Sequence, residues 1–289
     1  MRNLYQVALV ASGLILFFAC GNSTGDKTTD SNNLNSNTAA DTGKKDTTFK
    51  IYSLPAPMQI AVAIRNNEKT FSEEFLKPTN QHKTIEGTNS TRSIQLGIYG
   101  VDMGYCMMYD QNQAVIDYLS KISKTADELK VSEAFNGSMA ERLKKNMNDK
   151  DSASYILLSS FNKARAFFRD NKREECSYLI GAGSFIEGLH LTLSVYKKKP
   201  SKELLYLVGQ QKAFLASIIE LLSNTGNTEM KDLVEQLTDL KKTYDQVTVT
   251  FVPSTTDKNV TNISDVSVPD GVLDELLKKT DAIRDKLVN

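Results

Sequence analysis

Glu187 and His190 stand three residues apart in the run "GAGSFIEGLHL". On a helix this spacing puts both side chains on one face, as in bundles that offer a carboxylate and an imidazole to a pair of metal ions. A complete site of that kind needs a second Glu-x-x-His and two further carboxylates from other helices. The chain has only two histidines, and the other, His82, has no acid three residues before it. The pattern stops at half a site, so neither a metal nor a cofactor is expected. A second acid, Asp102, lies in "IQLGIYGVDMGYCMMY", Ile94 to Tyr109, among three glycines and mostly apolar or aromatic neighbours. An ionised carboxylate in such surroundings is costly unless paired or hydrogen-bonded. Tyr99, Tyr105, His190, Gln210, Gln211, Lys212, Arg165 and Arg92 are the candidate partners. Asp102, Glu187, His190, Tyr99, Tyr105, Gln210 and Gln211 then form either a buried polar network that sets helix register or the polar floor of a ligand cleft. No Ser/His/Asp arrangement, phosphate loop or nucleophile elbow is present, and no catalytic residue is assigned.

The elements that must position these groups read as helices. Apolar residues recur at helical spacing along most of the chain from residue 49 onward. Pro55 and Pro57 suit the first turn of a helix carrying Ile60, Ala63 and Ile64. Residues 67–89 look irregular. Ser90 or Thr91 is a candidate cap for a helix through the Asp102 stretch to about Asp110, continued by "QNQAVIDYLSKISKTADELK". A short helix around Ala140 follows. Asp149 or Asp151 opens another over 152–170, with Tyr155, Leu158, Phe161 and Phe168 expected inward. The Glu187 helix stops at Lys199-Pro200-Ser201. Two amphipathic helices come next, the second from Glu229 to about Val247. The Val/Thr alternation over 247–268 reads as a short extended or β-hairpin segment. Pro269 opens the last helix. Gly97 and Gly104 are seven apart, as are Gly181 and Gly188. Each glycine costs about 1 kcal/mol against alanine inside a helix, so repeated ones imply close backbone contact. The expected fold is all-α: a multi-helix bundle with two glycine-rich central helices that cross tightly.

The first residues address the chain. Arg2 is the sole charge before Cys20, and Val7–Ala19 is apolar but shorter than the roughly 20 residues a permanent span needs. It ends "LFFACGN", with small residues on both sides of Cys20. Residues 1–19 are therefore expected to be a lipoprotein signal peptide, and Cys20 to be acylated; each buried methylene of an acyl chain adds about 0.8 kcal/mol of membrane affinity. Phe17 replaces the usual leucine of a lipobox. Residues 20–48 form the lipidated cysteine and a polar tether in which Leu34 is the only large apolar residue, too little to offset ordering. A flexible tether of this length reaches about 30 Å. Residues 49–289 make the helical domain. Removing Arg2 with the leader leaves 34 basic residues against 35 acids. With no basic patch, nucleic acid is not an expected partner. Cys106 and Cys176 remain, and spacing alone leaves open whether they are bridged.

"YSLPAP", "LGIYGVD" and "GAGSFIEGLHL" together resemble an uncharacterised family of helical lipoproteins of Bacteroidota. Leu96, Gly97, Tyr99, Gly100 and Asp102 carry the middle motif. The resemblance implies one helical domain and an outer-membrane setting; Gly21 after the cysteine agrees with the outer membrane. It implies no activity, substrate or catalytic residue. The expectation is a lipid-anchored, non-enzymatic envelope protein. It would face the periplasm, with the cell surface as the other face. Its membrane partner is the acyl anchor on Cys20, and an envelope protein or small ligand is the expected second partner. The alternative is an enzyme or metal-binding bundle that uses Asp102, Glu187 and His190.

Overall fold

The computed structural model describes residues 57–76, 87–253 and 261–288. The expected signal peptide, Cys20, the expected tether, most of "YSLPAP" and His82 lie outside the described residues. The elements are α1 (Pro57–Asn67), α2 (Asn89–Met108), α3 (Asn112–Glu128), α4 (Gly137–Lys145), α5 (Lys150–Asp170), α6 (Glu174–Lys198), α7 (Lys202–Asn224), α8 (Lys231–Tyr244), β1 (Thr248–Pro253), β2 (Thr261–Ser267) and α9 (Val272–Val288). Three short 3-10 turns, Glu73–Phe75, Ser132–Phe135 and Thr228–Met230, join them. The fold is an all-α bundle with one antiparallel hairpin, as the apolar periodicity predicts.

α2 and α6 are the central pair and make the most extensive helix contact. Every residue from Ser93 to Met107 and from Ala182 to Val195 is buried, so both helices are apolar all round because neighbours cover every side. Their crossing is made by glycine. A Cβ added at Gly97 would lie 2.1 Å from the Ile180 carbonyl oxygen, and one at Gly183 would lie 2.0 Å from that of Ile94. The close pair is thus Gly97 with Gly183, rather than the seven-residue repeats noted in the sequence. Gly100 makes room for the Phe161 ring of α5, and Gly188 for Ile60 of α1. A Cβ at Gly181 would meet only side chains of α7, the Phe214 ring at a tight 3.3 Å and Ile218 at 3.7 Å. Ser184 adds a hydrogen bond from its hydroxyl to the Gly97 carbonyl at 3.3 Å.

Three helices end in the same way. At α2, Asp110 takes φ 57°, the Gln111 amide donates to the Cys106 carbonyl and the Asp110 amide to that of Met107. Lys130 ends α3 and Lys172 ends α5 with equivalent bonds. This is a Schellman closure, usually built on glycine. It breaks the chain between α2 and α3, where the sequence reads as one continuing helix. The cap of α2 is Thr88, whose hydroxyl accepts from the Thr91 amide, rather than Ser90 or Thr91. Asp149 caps α5 by accepting from the Asp151 and Ser152 amides, both at 3.1 Å. The buried face of α5 is Ala153, Ile156, Leu157, Ser160, Ala164 and Phe168. Tyr155 is 68% exposed and Leu158 41% exposed, so two of the residues expected inward face solvent. Small residues occupy the inner stripe because α5 packs closely on α6 and α2.

The hairpin lies against α7, where Gly209 admits Val266. One residue is inserted in β2 at Ser264, between the pairs Thr250–Asp265 and Phe251–Ile263. Cys106 and Cys176 are both buried and both free.

Candidate functional site

Five elements meet at the centre. α2 supplies Asp102, α6 supplies Glu187 and His190, and α3 supplies Tyr118. α9 supplies Asp281 and Arg284, and the turn at Glu73–Phe75 supplies a backbone carbonyl. Arg284 grips Glu187 with a two-pronged bond. Its Nε donates to one carboxylate oxygen at 2.6 Å and its Nη2 to the other at 2.7 Å. Nη2 also donates to the Phe75 carbonyl at 3.2 Å. Glu187 is wholly buried and Arg284 is 6% exposed. This planar match of fork to carboxylate is the geometry that favours arginine over lysine. Burial pushes Glu187 up, but the charge and hydrogen bonds of Arg284, with the charge of His190, outweigh it and hold Glu187 below the usual carboxylate range.

His190 completes the contact with α9. Its Nδ1 lies 2.6 Å from an Asp281 oxygen and its Nε2 lies 3.0 Å from the Phe75 carbonyl. A carbonyl can only accept, so Nε2 carries a proton and donates it. Nδ1 is engaged with the carboxyl. Both ring nitrogens are thus occupied by the chain's own groups.

Asp102 is fully buried, and neither of its oxygens receives a hydrogen bond of good geometry. Burial first, and the Glu187 charge second, raise its pKa well above the ordinary range, against the pull of Arg284. The Tyr118 hydroxyl and the Glu187 carboxylate are its interacting neighbours. A carboxyl whose one neighbouring donor is a phenol and which stands beside a carboxylate is best satisfied as a neutral acid whose proton faces that carboxylate. Beside the His190–Asp281 contact, the buried trio then holds one ionised acid, one neutral acid and one guanidinium, so Asp102, Glu187 and Arg284 balance in charge without solvent.

Of the residues expected here from sequence, Asp102, Glu187 and His190 come together. Tyr99 is buried nearby, and burial followed by the Asp102 charge pushes its phenol up to about 12. Tyr105 does not join them. Its hydroxyl lies 3.2 Å from the Ser72 amide, which donates to it, and its ring packs at a tilt against Phe71 and Tyr109. Gln210 is exposed, because it falls on the outer side of α7. Gln211 is buried on that helix, where its amide donates to its own turn at Leu207. The proposed cations also go elsewhere. Arg92 pairs with Glu128, Lys212 donates to the Val247 carbonyl and Arg165 is exposed.

Arg284, Asp281 and Tyr118 are the members that sequence reasoning missed. A signal existed for Arg284. It follows Leu276, Thr280 and Ile283 on one helical stripe, and a cation on an apolar stripe matches an acid on another. Among the described residues no three His, Cys, Asp or Glu side chains converge as a metal set would. Grooves between α8 and α9, around Asp239 and Lys279, and beside α5, around Tyr155 and Arg142, are lined by none of these polar groups. No family model matches the chain, and searches among curated proteins and solved structures return no match either.

Proposed function

We propose that this chain is a lipid-anchored protein of the cell envelope, held through Cys20 in the outer membrane and facing the periplasm. Its helical domain serves binding rather than catalysis. The observation that carries the second half is the occupancy of the polar centre. Glu187 is clamped by Arg284, and both His190 nitrogens are engaged by Asp281 and Phe75. A general acid or base, or a metal ligand, needs a free position within reach of substrate or ion. The chemistry-bearing residues spend those positions on one another. The first half is supported by the apolar leader that ends at Cys20, and by the resemblance carried by "LGIYGVD".

Two measurements test the reading. Membrane fractionation of Cys20→Ala should move the protein from membrane to soluble fractions while it stays folded. Retention in the membrane defeats the anchor. Native mass spectrometry of the purified wild-type protein should show no stoichiometric metal. A bound metal that is lost in His190→Ala favours the metal-binding alternative.

A further inference from the structure

The packing face of α9 changes character along its length. Its first half presents Val272, Leu273, Leu276 and Leu277 to the second apolar cluster. From residue 280 the buried positions are Thr280, Ile283 and Arg284, with Asp281 at the edge against His190. Only Ile283 among them is apolar and buried. Leu287 adds a partly buried contact with the same cluster, so the last two turns carry fewer apolar contacts than the first half and rest also on the Arg284–Glu187 fork, on Asp281–His190, and on the shared Phe75 carbonyl, to which both Arg284 and His190 donate. Segments with few buried apolar contacts are the ones that open locally below the global unfolding free energy.

Without Arg284 in place, that corner presents three acceptors, the two oxygens of Glu187 and the Phe75 carbonyl, with the Asp102 carboxyl behind them. This set matches a planar multi-donor cation better than a compact ammonium. We propose that residues 280–287 are an intramolecular latch in which Arg284 fills a guanidinium receptor, and that undocking of these two turns opens the receptor to an arginine side chain of a partner. The inference concerns the centre alone and does not depend on the membrane anchor.

The test has two arms on the full chain. In the first, Arg284→Ala empties the receptor, and its melting temperature is followed in methylguanidinium chloride and in methylammonium chloride at equal low concentration. Recovery of part of the lost melting temperature with methylguanidinium alone is expected; equal responses to the two salts overturn the receptor. If that variant is unfolded from the start, the same comparison is read as recovery of helical circular dichroism by methylguanidinium and not by methylammonium, and equal recovery or none overturns the receptor. In the second arm, hydrogen exchange of the wild-type protein is measured with N-acetyl-arginine amide or N-acetyl-lysine amide present. The arginine probe should speed exchange in 280–287 several-fold while 272–277 and α6 stay protected. No selective change, or an equal change along all of α9, overturns the latch.

Discussion

Asp102 and Glu187 occupy one buried centre yet must answer pH in opposite senses. Asp102 has a raised value in the fold, so its contribution is complete below its unfolded value of about 3.9 and is lost as pH rises towards the folded one. Asp102→Asn keeps the shape and removes the titration. The variant should therefore gain on the wild type by about 1.4 kcal/mol per pH unit inside that window. Urea titrations at pH 5, 6 and 7 measure this, and parallel stability curves would refute a retained proton. Glu187 is held low, so its contribution is present above its unfolded value and is lost as pH falls through the folded one. Glu187→Gln should be most damaging near neutrality and converge on the wild type in acid. The pair also predicts a compensation. Arg284→Met strands a buried carboxylate and should cost about 3–5 kcal/mol, whereas Glu187→Leu with Arg284→Met should restore most of it. A double variant no more stable than the single one would show that the ion pair is not the unit. At this scale the acids were legible because charge in an apolar run stands out. Their partner was not, since Arg284 is 97 residues beyond Glu187 and only the fold brings them together.

Glycine sets how closely the central helices approach. An alanine at Gly97 or Gly183 would push its Cβ to about 2 Å from a carbonyl oxygen of the facing helix, and backbone cannot swing aside as a side chain can. Each should lower stability by about 3 kcal/mol or more, at the upper end of overpacking costs. Gly181→Ala meets only side chains, the Phe214 ring at 3.3 Å and Ile218 at 3.7 Å; the ring need shift by only a few tenths of an ångström, and the gain of helix propensity, about 1 kcal/mol, should leave the variant near neutral. Thermal melts of the three variants decide the matter, and equal losses at Gly181 and Gly97 would remove the crossing from its place in the fold. The opposite exchange is favourable at Lys130 and Lys172, which hold φ 61° and 56°. Glycine there relieves a strain of roughly 1 kcal/mol, and each replacement should raise the melting temperature. These same residues explain what the sequence hid. Helices that stop on Asp110 or Lys130 carry no glycine to mark the stop, so α2 and α3 read as one. α5 bears large apolar residues on two sides, and size favours the stripe of Tyr155 and Leu158 although the close-packed stripe is built on Ala153, Ser160 and Ala164. The hairpin, by contrast, announces itself through β-branched residues at alternating positions.

Across the whole molecule the apolar interior falls into two clusters, one around α2 to α5 and one around α7 to α9. α6 belongs to both. Ile180, Leu191 and Val195 face the first, while Ile186, Leu189 and Leu193 face the second. The buried polar centre spans the same divide, since Asp102 comes from α2, Glu187 from α6 and Arg284 from α9. Fraying of the last two turns of α9 leaves the α2–α6 crossing in place, but parting the whole boundary, crossed by a continuous helix and by a charge-balanced network, exposes apolar surface on both sides and strands buried charge. The two halves should therefore unfold together. The chain contains no tryptophan, so a single introduced indole reports on its own surroundings. Phe167 and Tyr178 are partly buried, the first against one cluster and the second against the other, and their exposure leaves room for a larger ring. Phe167→Trp and Tyr178→Trp, each followed by fluorescence and by far-ultraviolet circular dichroism in urea, should give one midpoint per protein by both probes. Each variant should also have the same urea dependence as the other, as expected of a single transition. A Tyr178 reporter that changes at lower urea than the circular dichroism, with the Phe167 reporter changing later, would mean that α7 to α9 can leave while α2 to α5 stay folded. In that case α6 would act as a hinge between two folding units rather than as their common core.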